Sequence, residues 1–241
     1  MDYIKFKNSI RREDQKRNDT NHWFSSRFAP RISYIAYRLG ITGDQMTIVF
    51  FLTGVLSAFA YRIPNLHGVV IGYILFRLHI IFDMCDGNLA RVNRSFSKRG
   101  IYWDSMAHNI INPLIVMNLT HAIFLWSNDI RFYYIQGPLV LIIALTSAVK
   151  NNYYKALYNS KPSDKVIERE ERNTLKKFII YIISEMVGME GLILFSIIFY
   201  LFNFKLDLGL IILTCFAIGN SSLIAIKFYL FSYKNQKVNK I

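Results

Sequence analysis

Six apolar runs of membrane-spanning length dominate this sequence and restrict it to a small set of folds. The runs cover residues 45–62, 68–91, 102–126, 134–150, 178–202 and 207–231, each close to the roughly 20 residues that a helix needs to cross a bilayer. A chain inside lipid must satisfy its own backbone hydrogen bonds, and a helix does so within one segment. The sequence therefore predicts an all-α integral membrane bundle of six transmembrane helices.

The basic residues lie mainly on one side of this predicted bundle. Of the 29 Lys and Arg residues, 24 fall in the N-terminal segment to Asp44, in 91–99, in 150–177 and after Tyr233, whereas the opposite loops hold only Arg62, Arg131 and Lys205. Cytoplasmic loops are enriched in Lys and Arg, so both termini and the stretch 82–108 are predicted to be cytoplasmic, at the inner or plasma membrane if the source is bacterial. The net charge of +13 then reflects topology and attraction to anionic lipid, and we expect no nucleic-acid partner.

No linker rich in Pro, Gly or Ser and no internal repeat divides the chain, so we expect one domain over residues 1–241. Its parts would be a cytoplasmic and interfacial segment at 1–44, the six-helix bundle at 45–233 and a cytoplasmic tail at 234–241.

Residues 22–39 are typical of an interfacial amphipathic helix. Phe24, Phe28, Ile32, Ile35 and Leu39 recur at helical spacing, which gives one apolar face. Pro30 should break or kink such a helix. We interpret the segment as a membrane-surface anchor, with a flap over the active site as the alternative.

Carboxylates are concentrated beside the second and third apolar runs. Asp83 and Asp86 are three residues apart, and Asp104 and His108 are four apart, so on helices each pair shares a face. Both pairs fall at the cytoplasmic ends of runs joined by a short turn, so we expect them to converge. Like charges resist burial together unless cations accompany them. Carboxylate ligands favour Mg²⁺ or Mn²⁺.

Small residues separate these acids from a basic one. Gly87 lies inside a predicted helix, where glycine costs about 1 kcal/mol relative to alanine, and Ala90 follows on the same side. Together they leave a bare strip against which a flat group could lie, and Arg91 could hold a phosphate with its planar fork. This combination favours a nucleotide diphosphate as substrate.

These residues form a pattern that resembles a known signature. The pattern Asp83-x-x-Asp86-Gly87-x-x-Ala90-Arg91, followed after eight residues by Gly100-x-x-x-Asp104-x-x-x-His108, resembles that of the CDP-alcohol phosphotransferases. Seven of the eight defined positions match, and His108 stands where the family has a fourth Asp. The resemblance implies a six-helix bundle with cytoplasmic termini, which agrees with the distribution of basic residues.

The resemblance also implies an activity. A hydroxyl acceptor would attack the phosphate of a CDP-linked donor, either CDP-diacylglycerol or a CDP-head group, to form a phosphodiester and release CMP. Asp83, Asp86 and Asp104 would hold Mg²⁺ or Mn²⁺, one ion firmly and a second in doubt, while Gly87, Ala90, Arg91 and Thr47 would bind the donor. A homodimer is a further expectation from the family.

His108 is the departure from the family pattern. Imidazole is a weaker ligand for Mg²⁺ than carboxylate but a good base near neutral pH. We therefore predict that His108, together with Asp104, serves catalysis by accepting the proton of the acceptor hydroxyl. The alternative is a non-catalytic binding or transport bundle that retains the scaffold.

Overall fold

Every regular element in the described part of the chain is a helix. The computed structural model describes residues 1–10, 23–95, 97–159, 219, 222, 225, 226 and 228–230. The helices are α1 (Tyr3–Ser9), α2 (Trp23–Arg38), α3 (Gly43–Tyr61), α4 (Leu66–Val92), α5 (Lys98–Ser127) and α6 (Ile130–Asn159).

Three of these helices are long and apolar enough to cross a membrane. They are α3, α4 and α5, and α6 adds a shorter apolar stretch at Ile130–Thr146. The first four predicted runs coincide with α3 to α6. The run at 178–202 lies outside the described residues, as does most of the run at 207–231, so the total of six spans stays a prediction.

Helix α3 occupies the centre of this arrangement. It packs against both α4 and α5, α5 pairs with α6, and α4 and α5 approach each other less closely than either approaches α3. Gly54 permits α3 to pack closely against both neighbours, because a Cβ there would lie 2.5 Å from Ile111 of α5 and 2.8 Å from His79 of α4. The gap between α4 and α5 is where the acidic residues meet.

Helix α2 lies at the position predicted for 22–39, with one correction. The helix continues through Pro30, so the predicted break is wrong, while the predicted kink stays a prediction. A proline removes only one backbone donor, and α2 packs against α4 along its length. The face turned to the protein is made of small residues, with Ser25, Ala29 and Ser33 all fully buried. Of the predicted stripe, Phe28, Ile35 and Leu39 are exposed, whereas Ile32 is half-buried and packs against the protein. The assignment of α2 to the membrane surface stays a prediction.

Helix α1 has no counterpart among the sequence-based predictions. It begins at an Asp2 cap, whose carboxylate accepts a hydrogen bond from the Lys5 backbone at 2.8 Å. Its Phe6 is fully buried between the rings of Tyr34 and Tyr37, each with its centroid 5.4 Å away. Short helices are marginal alone, so this contact with α2 holds α1 in place.

Candidate active site

Two carboxylates and one imidazole converge between α4 and α5. Nε2 of His108 lies 3.3 Å from Oδ1 of Asp83 and 3.5 Å from Oδ1 of Asp104. Asp83 belongs to α4, whereas Asp104 and His108 are one turn apart on α5. The side chains are between 28% and 45% exposed, so a substrate can reach them.

This cluster fits a divalent cation. One ligand atom from each of the three side chains lies within 4.8 Å of the others. Neighbouring ligands of Mg²⁺, each at about 2.0–2.1 Å from the ion, are separated by roughly 3 Å, which is close to the two distances above. Oxygen ligands suit Mg²⁺ or Mn²⁺, and one imidazole is compatible with Mn²⁺. Asp83, Asp104 and His108 could therefore hold a metal ion together.

Asp86 is placed differently from the other two acids. Among the described residues it is outside the group that could share one ion. Its Oδ2 accepts a hydrogen bond of 2.8 Å from the hydroxyl of Thr47, which is itself buried near the start of α3. The helices can approach here because Gly43 has no side chain, and a Cβ on it would lie 3.1 Å from the Asp86 carbonyl oxygen. Thr47 and Asp86, both predicted site residues, are thus in direct contact.

Gly87, Ala90 and Arg91 follow on the same helix. A Cβ added to Gly87 would lie 3.4 Å from Nη1 of Arg91, so the guanidinium group rests beside the bare backbone. Ala90 is half-buried and lies near Gly43, where an added Cβ would be 3.5 Å from that of Ala90. Arg91 thus lies against Gly87 and Ala90 lies against α3, and the bare strip expected from the small residues stays a prediction.

His79 lies beneath the cluster, one turn before Asp83 on α4, and no sequence pattern gave it a role. It is 1% exposed, and its Nδ1 lies 2.8 Å from the carbonyl oxygen of Phe50 on α3. Because a carbonyl oxygen only accepts, Nδ1 carries the proton of this hydrogen bond. The ring of His108 is 5.8 Å from that of His79 and 5.9 Å from that of Phe50, so both rings pack around His108.

A second unpredicted contact ties the start of α3 to the start of α5. The Ser97 hydroxyl lies 2.8 Å from Oδ1 of Asp44, and the Gly100 backbone N–H donates to Ser97 Oγ at 2.8 Å. A Cβ on Gly100 would come within 2.8 Å of the Asp44 carboxylate. A side chain at Gly100 would therefore displace the Asp44 carboxylate from this contact, which joins α3 to the helix that carries Asp104.

Residues 41–202 match the family model described as CDP-alcohol phosphatidyltransferase. The chain belongs to this family. The family assignment confirms the resemblance found in the sequence, and the matched region contains the whole motif from Asp83 to His108. The CDP-alcohol phosphatidyltransferase region begins immediately before α3 and includes α3 to α6.

Curated relatives extend this comparison. The chain is 28% identical over 178 residues to the "Bifunctional IPC transferase and DIPP synthase" of Thermococcus kodakarensis, which covers 70% of this chain and 38% of the relative. It is 26% identical over 121 residues to the protein of the same name from Archaeoglobus fulgidus, covering 50% and 22%. The chain thus spans less than half the length of these relatives.

Proposed function

We propose that this protein transfers a phospho-alcohol from a CDP-activated donor to a hydroxyl acceptor and releases CMP. The observation that carries the proposal is the position of His108 Nε2, within 3.3 and 3.5 Å of two carboxylates from the family motif. The family and the transferase names of the relatives support the same reaction class.

The reaction is a displacement at phosphorus. The acceptor oxygen forms a new bond to the phosphorus that carries the donor alcohol, the bond from that phosphorus to the CMP oxygen breaks, and CMP leaves. A bound Mg²⁺ or Mn²⁺ would neutralise charge on the pyrophosphate in this step. Asp83 and Asp104 are the proposed ligands, with Asp86 contributing from its place beside Thr47.

His108 is the proposed acceptor of the hydroxyl proton, a role that excludes binding the metal through the same ring nitrogen. Its Nε2 faces the two carboxylates, so an imidazolium formed there would be stabilised by their negative charge. The packed rings of His79 and Phe50 limit the orientations that the imidazole can take. Asp104 supports the same step by contacting His108 one turn away.

The donor nucleotide would lie along α4. Gly87 and Ala90 would border a flat base, the Arg91 guanidinium beside Gly87 would contact a phosphate, and Thr47 holds Asp86 in place. These roles follow from position in the motif and from the contacts described above.

We further propose a single membrane domain over residues 1–241, whose bundle at 45–233 has its termini and active site on the cytoplasmic side. The asymmetry of Lys and Arg supports this orientation, and the three long apolar helices support the membrane location. Such an enzyme would serve phospholipid biosynthesis, with either the donor or the acceptor being a lipid, and homodimerisation is consistent with the family.

The test is CMP release by the purified protein with CDP-diacylglycerol and with CDP-head groups, in the presence of Mg²⁺ or Mn²⁺. We expect release with at least one donor, loss of release on chelation, and recovery when the ion is restored. Mass spectrometry of lipids from cells with and without the protein would then identify the product. Nucleotide binding without CMP release from any donor would instead support a non-catalytic bundle.

A further inference from the structure

The guanidinium group of Arg91 is held from two sides by residues outside the motif's defined positions. Its Nη2 donates to Oδ1 of Asn88 at 2.6 Å, and its Nε donates to the carbonyl oxygen of Ile10 at 3.1 Å. Asn88 is one turn earlier on α4, whereas Ile10 ends α1. A long flexible side chain is thereby restricted to one position.

Asn88 is itself anchored to α2. Its Nδ2 donates to Oγ of Ser33 at 2.9 Å, and the Ser33 hydroxyl donates to the Ala29 carbonyl oxygen at 2.6 Å. Asn88 is 7% exposed and Ser33 is fully buried. Because both ends of the amide have partners, its orientation is fixed, and a continuous hydrogen-bond chain runs from α2 to Arg91.

Packing alone does not explain why a polar residue is buried at position 88. A buried amide in an apolar helix is unfavourable unless it is hydrogen-bonded, and an aliphatic residue would pack against α2 without that requirement. The arrangement does, however, set the guanidinium group beside Gly87, where its Nη1 would be 3.4 Å from an added Cβ. It thus determines where the positive charge lies relative to the strip proposed for the donor.

We propose that Asn88 is a positioning residue for Arg91, with Ser33 of α2 and the Ile10 carbonyl of α1 as its supports. The N-terminal helices are then part of the donor site as well as a membrane-surface segment. The inference rests on the proposed function, in which Arg91 contacts a phosphate of the CDP group.

The test compares variants of Asn88 by their affinity for CDP, measured without acceptor so that no turnover is needed. Asn88→Leu keeps the size but removes both hydrogen bonds, and it should weaken CDP binding by about 10- to 100-fold, as expected for a lost bond to a charged group. Asn88→Asp keeps an acceptor for Arg91 but loses the donor to Ser33 and adds a negative charge near the diphosphate, so it should recover only part of the affinity that Asn88→Leu loses. In steady-state assays Asn88→Leu should raise KM for the donor far more than it lowers kcat.

Cys85→Ala is the matched control for packing. Cys85 is fully buried on α4, and its Sγ lies 3.4 Å from the same Ala29 carbonyl oxygen, so removing the thiol disturbs the packing against α2 but leaves the hydrogen bonds of Asn88 to Ser33 and Arg91 in place. The variant should lose thermal stability and keep CDP affinity. Equal weakening by Cys85→Ala and Asn88→Leu would overturn the proposal, since the effect would then come from the contact between α2 and α4.

A double variant tests whether Asn88 affects CDP binding through Arg91. In an Arg91→Met background, Asn88→Leu should weaken CDP binding no further, because its effect passes through Arg91. Independent, multiplicative losses would refute the positioning role, as would normal CDP binding by folded Asn88→Leu. Failure of the wild-type protein to bind CDP would instead overturn the proposed function and this inference with it.

Discussion

A methyl group added at Gly54 should destabilise the bundle and slow CMP release. The new Cβ would lie 2.5 Å from Cδ1 and 3.0 Å from Cγ2 of Ile111, and 2.8 Å from Nδ1 of His79, whereas carbon atoms in good contact are about 3.5–4.0 Å apart. Ile111 can adjust the end of its side chain. His79 cannot move as freely, because Nδ1 is bonded to the Phe50 carbonyl oxygen.

The change in the free energy of unfolding caused by Gly54→Ala is the sum of two opposing effects. Overpacking of a tight core costs about 1–3 kcal/mol, and replacing glycine in a helix recovers at most about 1 kcal/mol. Gly54→Ala should therefore be net destabilising. The melting temperature in detergent should fall by several degrees, since 1 kcal/mol corresponds to about 2–4 °C at this chain length. CMP release should fall as well, because His79 packs against His108.

A compensating substitution makes this prediction specific. Ile111→Val removes Cδ1, the atom that would be closest to the new methyl group, at an expected cost of about 0.5–1.5 kcal/mol alone. The double variant Gly54→Ala/Ile111→Val should be more stable than the sum of the single effects predicts. An unchanged melting temperature for Gly54→Ala, or additive losses in the double variant, would refute the close packing of α3 against α5.

Three further outcomes are expected. His108→Ala should reduce the transfer rate by roughly 10²–10⁴-fold, the usual share of a general base, and His108→Asp should retain measurable activity; normal turnover by His108→Ala would exclude the proposed role. Thr47→Val removes the bond to Asp86 and should cost about 1.5–3 kcal/mol in transition-state stabilisation, while Thr53→Val, which removes a bond within α3, should change activity little. Cysteine labelling should find residues 150–177 and the C-terminal tail accessible only from the cytoplasm, and labelling from outside would overturn the topology.

The helices and the meeting of Asp83 with His108 were predictable from the sequence for a physical reason. Length and hydropathy determine which segments can cross a bilayer, and spacing within one helix determines which residues share a face. A short turn between two such helices then brings their adjacent ends together. Those rules correctly predicted α3, α4, α5 and the contact at 3.3 Å.

The partners of individual side chains were not predictable in the same way. They depend on how each helix is rotated and how closely it approaches its neighbours, which glycines at positions 43 and 54 largely determine here. Two such contacts join different helices, Thr47 with Asp86 and His79 with Phe50. A third, Asn88 with Arg91, involves a position at which the motif allows any residue. Helix α1 was also missed, because seven residues give too short a pattern to recognise.

The most direct test of the central claim is CMP release by three single variants, Asp83→Asn, Asp86→Asn and Asp104→Asn, each compared with Asp129→Asn. Asp129 is a matched control, because it lies between α5 and α6 and pairs with Arg131. Each of the three motif variants should fold and lose transfer, since asparagine keeps the shape of the side chain but not the charge that a metal ligand needs, and Asp129→Asn should release CMP at the wild-type rate. Near-normal release by any folded motif variant would contradict the assignment of that residue to the site.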